Sequence, residues 1–531
     1  MILVAMLLWV SASFAQHYNV TRSDYGRIDV TFTAADIQAT TVKTPQGNFS
    51  QIVMDDYYPS VTVGKPQLPV MSQLLEIPVC EDVVATVKDA QYVEMDASEL
   101  GINYPVYPAQ PAYPKSYSGS REFVKDAQTY GRNAFYSEPL VRVEKAGTMR
   151  DITLANIYVS PVAYNPVTGK VRIYRKVDVE VSFVNANLGA TRDLKARYGS
   201  PLFTAASQAV INPMPDTREE FSGAPIRYLI VAHSMFRNNE QLIAFAAWKK
   251  RIGYKVDIVY TDDANVGTTT TSIKNYIMSQ YTGATATNPA PTYLLFVGDH
   301  GQVPAFSSTE QNSHVTDLYY ACWTTGDNIP DCYYGRFSAQ NANQLAPQIN
   351  KALMYEQYTM PDPSYLGKAV LIAGTDASWA PTHADGQINY VYDNYINTSS
   401  SNHTYTTVYK HNYNCSSQAA TIRNEIGAGC GWANYTAHGG ETGWSDPSFS
   451  NSNVSSMANQ DKYGLMIGNC CLTGKFNLEC FGEALLRAEN KGAMAYIGAS
   501  EVSYWNEDVY WAVGVRSNVT ANMNISNIIN C

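Results

Sequence analysis

At 531 residues the chain is too long for one hydrophobic core, because single domains usually stop growing at roughly 250 to 300 residues, so two or more domains are expected. Hydrophobic residues make up 45% and charged residues 16%, which excludes wholesale disorder. A net charge of -10 with scattered basic residues excludes a nucleic-acid partner, since gripping a phosphate backbone takes concentrated positive charge.

Residues 1–15 form an apolar run too short to span a bilayer, ending in the small-residue pattern Ser13-Phe14-Ala15. This reads as a signal peptide cleaved before Gln16 and predicts a secreted or cell-surface product. No later run reaches the roughly 18 apolar residues a membrane helix needs, so no membrane span is expected in the mature chain. Nine cysteines, all but Cys80 at or beyond Cys322, are too sparse for a disulfide scaffold.

Residues 16–196 are dominated by short alternating runs such as Val61-Thr62-Val63 and Val177-Asp178-Val179-Glu180-Val181, broken by Pro, Gly and Asn. This pattern predicts an all-β sandwich domain. Within it, prolines at 105, 108, 111 and 114 mark an extended crossing or linker piece. Residues 197–225 read as a linker, with Arg218 the first choice for an activation cut just ahead of the next strand.

From residue 226 to 515 strand-length apolar runs alternate with helix-length amphipathic segments. Strands are predicted at Tyr228–Ala232, Val256–Tyr260, Tyr293–Val297, Ala369–Ala373, Trp432–Thr436, Leu465–Ile467 and Ala493–Ile497. Helices are predicted at 238–251, 270–280, 341–355, 387–396, 417–426 and 480–488. The rhythm predicts an α/β domain with a mainly parallel sheet flanked by helices. In such sheets ligands bind beyond the carboxyl ends of the strands. Asp299 and His300, Asp376, His438, and Cys470 with Cys471 all lie just past predicted strands, so they are expected to share one edge.

A thiol attacks as the thiolate, and an unperturbed pKa of about 8.5 leaves little of it at neutral pH, so a nucleophilic cysteine needs a base beside it. His438 and one of Cys470 or Cys471 end successive predicted strands. Gly439 and Gly440 allow close backbone approach, and the amides of Gly439 and Cys471 are candidates for an oxyanion hole. Side chains alternate along a strand, so only one of the two adjacent cysteines can face the crevice, and spacing leaves open which. A buried, inert cysteine is the competing reading for either.

The segments Ala433-Asn434-Tyr435-Thr436-Ala437-His438-Gly439-Gly440-Glu441-Thr442 and Ile467-Gly468-Asn469-Cys470-Cys471 closely resemble the catalytic histidine and cysteine segments of the gingipains, secreted cysteine peptidases with a caspase-like fold. The likeness, nearest to their lysine-specific branch, runs from about Ile226 to Val515 and includes Ser503-Tyr504-Trp505-Asn506-Glu507-Asp508. It implies Cys471 as nucleophile, His438 as base and Asp376 as the acid that orients the histidine. A helix N-cap is the competing reading for Asp376, and Asp299 competes for its role. The resemblance also implies Asp508 at the floor of a lysine-binding S1 pocket, with Tyr504, Trp505 and Thr436 as walls.

Asp385 lies near the pocket acid of the arginine-specific members; turned inward, it would admit arginine. Protein or peptide substrates follow, with the chain's own pro-domain as intramolecular inhibitor. Catalysis requires no cofactor, while structural calcium is implied by resemblance alone. Residues 516–531 lose the likeness and read as the tail of a truncated C-terminus. A transpeptidase or sortase-like enzyme and an inactive surface-binding module are the alternative functions.

Overall fold

The computed structural model describes residues 17–214, 225–308, 313–396, 405–415 and 418–513. The signal-peptide, Arg218 and tail expectations lie outside the described residues.

The N-terminal domain is built from antiparallel strands, as its alternation requires. In Arg27–Thr33, Ile28, Val30 and Phe32 point into the core while their neighbours face outward. The long strand Lys170–Val184 pairs with Arg27–Thr33, with Val162–Asn165 and with Asp82–Asp96. A second sheet joins Tyr58–Pro59, Pro69–Ile77, Ile152–Val159 and Val141–Met149. The two sheets share one core, in which Val179 and Val181 of the first are clustered with Leu75 and Ile157 of the second. Period-2 burial on two facing sheets gives the sandwich.

The described part of the expected linker, residues 197–214, is structured. A helix, Leu188–Tyr198, capped by the Asn187 side chain on the Ala190 N–H, crosses the predicted boundary at 196. Beyond it, Tyr198 stacks on Tyr281 at 3.9 Å, Phe203 packs on Tyr333 and the Ser200 hydroxyl meets that of Thr292 at 2.9 Å. Polar composition suggested a free tether, but a few aromatic residues fasten this stretch to the next domain.

The second domain contains two parallel sheets where the sequence suggested one. The first has the order Tyr254–Tyr260, Ile226–Ala232, Tyr293–Val297, Tyr333–Phe337. The second has the order Thr407–His411, Lys368–Ala373, Trp432–Thr436, Leu465–Asn469, Ala495–Gly498. Both faces of the first sheet are buried: Leu229, Val231, Leu294 and Phe296 belong to one core, Ile230, Ala232, Leu295 and Val297 to another. Two-sided burial explains why its strands read as continuous apolar runs.

Helices Glu240–Arg251, Thr270–Thr282 and Ala342–Gln357 are each capped by the residue before them, Asn239, Thr269 and Asn341. The two sheet units are joined by buried polar contacts. Lys351 donates to the carbonyls of Leu485, Ala488 and Lys491, and Arg487 reaches the Ser338 carbonyl and Asp299.

Candidate active site

Because the domain has two sheets, the expected residues do not all share an edge. Asp299 ends a strand of the first sheet, where it accepts from the His300 amide, Ser338 and Gln340 and pairs with Arg487. It is a structural acid between the sheet units and does not reach His438. Asp376, His438 and Cys471 all follow strands of the second sheet.

His438 and Cys471 occupy equivalent positions on adjacent parallel strands. Thr436 and Asn469 are partners in register, and each of the two residues lies two positions further on. Gly439 closes the space between the two strand ends. A Cβ there would come within 2.6 Å of the Cys470 sulfur and 2.8 Å of the Cys471 carbonyl oxygen, so only glycine lets these backbones approach.

Asp376 has a separate set of partners on each oxygen. Its Oδ1 accepts from the Ser378 and Trp379 amides at 2.8 and 3.2 Å and caps the following turn, while Oδ2 accepts from His438 Nε2 at 2.8 Å. Burial by itself would raise this carboxyl; the hydrogen bonds from His438, Ser378 and Trp379 outweigh it and hold the group below its ordinary value. With the Nε2 proton directed at Asp376, the neutral ring keeps its lone pair on Nδ1. The edge of the His438 ring packs against Trp505, 5.6 Å between centroids at 87°.

The two cysteines, just past the end of strand Leu465–Asn469, have different surroundings. Cys470 is fully buried in the second sheet's core, its sulfur 3.5 Å from the Thr473 hydroxyl, and burial pushes its thiol up to about 12. The Cys471 sulfur instead meets Ser503, accepting from its amide at 3.3 Å.

Ser503 leads to the feature most specific to the site. From the N-terminal domain, the Lys115 amide donates to the Ser503 carbonyl at 2.8 Å. The Lys115 ammonium pairs with the Asp508 carboxylate, donates to the Asn469 carbonyl at 3.0 Å and lies 4.5 Å from the centre of the Trp505 ring. Lys115 is 2% exposed. A carboxylate, a carbonyl and an aromatic face thus surround one lysine head, which satisfies a buried charge. Helix Trp505–Val513 carries Trp505 and Asp508 on one side, and the Asn469 side-chain amide donates to Gln387 and to the Asp508 carbonyl.

Of the other expected pocket walls, Thr436 is buried beside Asn469, and Tyr504 contributes its carbonyl to the Asp508 amide. Asp385 is held by partners other than the lysine. It is 0% exposed and accepts from the Tyr413 amide at 3.0 Å; burial pushes it up to about 6, against the pull of Asn412, Tyr413 and Lys410. Among the described residues no three His, Cys, Asp or Glu side chains converge as a metal cage.

Sequence reasoning missed Lys115. The available signal was its place at the end of the proline-rich extended stretch. Pro114 to Tyr117 form a β-turn closed by the Tyr117 amide on the Pro114 carbonyl at 2.9 Å, with the Tyr113 and Tyr117 rings stacked at 4.5 Å. Lys115 thus projects from a stiff turn.

Two parallel sheets flanked by helices, with histidine, carboxylate and cysteine gathered beyond the strands of one of them, define a caspase-like α/β domain behind an antiparallel β domain. The chain belongs to peptidase family C25: the family model matches residues 222–529, and the C25 propeptide model matches residues 19–212.

The chain is 37% identical over 501 residues to Lys-gingipain of Porphyromonas gingivalis (strain ATCC 33277), covering 94% of this chain and 28% of that protein. It is 23% identical over 496 residues to gingipain R1 of the same species, covering 92% of this chain and 47% of that protein. A solved structure described as that of a protease is 42% identical with a TM-score of 0.51, covering 55% of this chain and 63% of that one. The chain thus spans under a third of the length of the Lys-gingipain it matches.

Proposed function

We propose that the chain is the latent precursor of an exported cysteine endopeptidase that cleaves after lysine. Cys471 is the nucleophile, His438 its base and Asp376 the acid that orients the base. His438 Nδ1 takes the thiol proton and the Cys471 sulfur attacks the lysyl carbonyl carbon, with the Gly439 and Cys471 amides receiving the oxyanion. Collapse breaks the C–N bond, the amine leaves with the proton from His438, and water hydrolyses the thioester. The N-terminal domain is the pro-domain. Export rests on the apolar segment 1–15, and no described helix is long and apolar enough to cross a membrane.

The observation that carries this reading is the set of contacts around Lys115. The domain that matches a propeptide model places a lysine against a carboxylate, a backbone carbonyl and an aromatic face beside the Cys471–His438 strand ends. A pocket that fits an inhibitory lysine also fits the lysine of a substrate. The assay is covalent labelling of the processed chain by a lysyl chloromethylketone. Cys471→Ala should abolish labelling, whereas Cys470→Ala should keep it and lower only thermal stability. Labelling that survives Cys471→Ala removes the assignment.

A further inference from the structure

The N-terminal domain touches the catalytic domain at a second place, built as carefully as the lysine pocket. The hairpin of Val141–Met149 and Ile152–Val159 turns through Arg150 and Asp151. Arg150 adopts a left-handed φ of 59°, uncommon for a residue with a side chain, and is 1% exposed.

Its guanidinium donates from Nη1 to the Pro291 carbonyl at 2.7 Å and the Asp331 carbonyl at 3.1 Å. Nη2 reaches the Ala290 carbonyl at 3.1 Å and Nε the Tyr198 carbonyl at 2.5 Å. The Arg150 amide donates to Asp331 Oδ1 at 2.6 Å, and the Thr148 amide to Asp327 Oδ2 at 2.9 Å. Gly147, at a φ of 143°, lets the strand come this close: a Cβ there would stand 2.6 Å from the same Asp327 oxygen.

This cup lies at the amino ends of the first sheet's strands. Ala290 and Pro291 precede Tyr293–Val297, and Asp331 precedes Tyr333–Phe337. The lysine pocket lies at the carboxyl ends of the second sheet's strands. Four carbonyls are met here by three separate nitrogens of one planar guanidinium; a lysine ammonium, with all its donors on a single nitrogen, cannot spread them over the same span. Losing the fork would leave buried carbonyls without donors, which is the costly half of a hydrogen bond.

We propose that the Ala290–Pro291 and Asp327–Asp331 edge is an arginine-receiving exosite, whose occupant is the hairpin tip carrying Arg150, and that this grip holds Lys115 in the pocket. It rests on the reading of Lys115 as an inhibitory plug. Neither Arg150 nor Tyr198 lies beyond residue 214, so a cut in 215–224 leaves the grip on the pro-domain side intact.

The test uses the full-length precursor as wild type, Arg150→Met, Arg150→Lys and Asp327→Ala. Two readouts are taken: hydrogen exchange in peptides covering 145–155 and 323–333, and the rate at which a lysyl chloromethylketone labels Cys471. Arg150→Met should raise exchange in both peptides and speed labelling at least tenfold. Arg150→Lys should fall between it and wild type.

Asp327→Ala, which lies outside the hairpin, should move both readouts the same way and carries the test if Arg150→Met does not fold. Faster exchange with labelling at the wild-type rate, or unchanged exchange, overturns the exosite. A processed wild-type chain that never labels sinks the peptidase reading instead, and the exchange result then decides the exosite alone.

Discussion

The Lys115 ammonium and the Asp508 carboxylate form an ion pair across the two domains, and the same ammonium donates to the Asn469 carbonyl. On the proposed function, the precursor keeps its lysine pocket filled with a side chain of its own. Lys115→Ala should empty the pocket without altering it. Uncleaved precursor carrying this change is expected to react with a lysyl chloromethylketone at least tenfold faster than wild type. An unreactive, folded Lys115→Ala precursor would place the block elsewhere.

Asp508 is nearly buried, and its carboxylate is the anion that meets the lysine head. Removing one partner of a buried ion pair costs roughly 3 to 5 kcal/mol, because the other charge is left uncompensated. In the processed chain, from which Lys115 has gone, Asp508→Asn should therefore lower kcat/KM for lysyl substrates by roughly a hundredfold or more while thermal unfolding stays close to wild type. Steady-state kinetics on lysyl and arginyl peptides of one sequence, beside a melting curve, check both halves.

Asp376 binds the turn with one oxygen and His438 with the other. An asparagine at this position keeps a carbonyl for the turn but loses the charge that stabilises the imidazolium. Asp376→Asn should cut kcat by roughly two to four powers of ten, by analogy with the acid of a serine-protease triad. KM and melting temperature should change little, and a loss confined to KM would point to substrate binding instead.

Asp385 gives the pH-dependent prediction. Its folded pKa of about 6 lies above the roughly 3.9 of an unfolded aspartate. The folded chain therefore binds the proton more tightly, so the contribution of this group is full below pH 4 and is lost as pH rises through 6. Asp385→Asn should gain stability relative to wild type between pH 4 and 7, on the order of 2 to 3 kcal/mol, read as a shift in relative melting temperature. Because the side chain bonds to the Tyr413 amide and not to the lysine, the preference for lysine over arginine should not move.

Much of the second domain was legible in its apolar runs. Tyr293–Val297 and Trp432–Thr436 fall where periodicity put them, because two-sided burial leaves a continuous apolar signature. Thr407–His411 was missed because it buries Lys410 and His411, which read as surface residues. The Nδ1 of His411 meets the Ala373 carbonyl at 2.8 Å, a partner from another strand that no local pattern displays.

Tyr333–Phe337 was missed for a related reason, since Gly335 and Arg336 interrupt its apolar run. The strand-end positions of His438 and Cys471 followed from the sequence, whereas spacing left the choice between the two cysteines open and the resemblance alone named Cys471. Lys115 and Arg150 did not follow from it. Each is a lone basic residue whose role depends mostly on carbonyls and carboxylates more than a hundred positions away, so composition registers both as ordinary surface charge.

The turn that carries Lys115 separates recognition from hydrolysis. On the proposed function its ammonium meets the contacts a substrate lysine would meet, yet the Lys115–Ser116 bond sits inside a loop pinned by the Tyr117 amide and by paired tyrosine rings, where a scissile bond would need an extended strand. A linear peptide with these residues would be consumed, whereas a ring-closed copy of the same letters would stay lodged. Selective blockade of such an enzyme is then a matter of freezing backbone shape, with the chemistry of the anchor left unchanged.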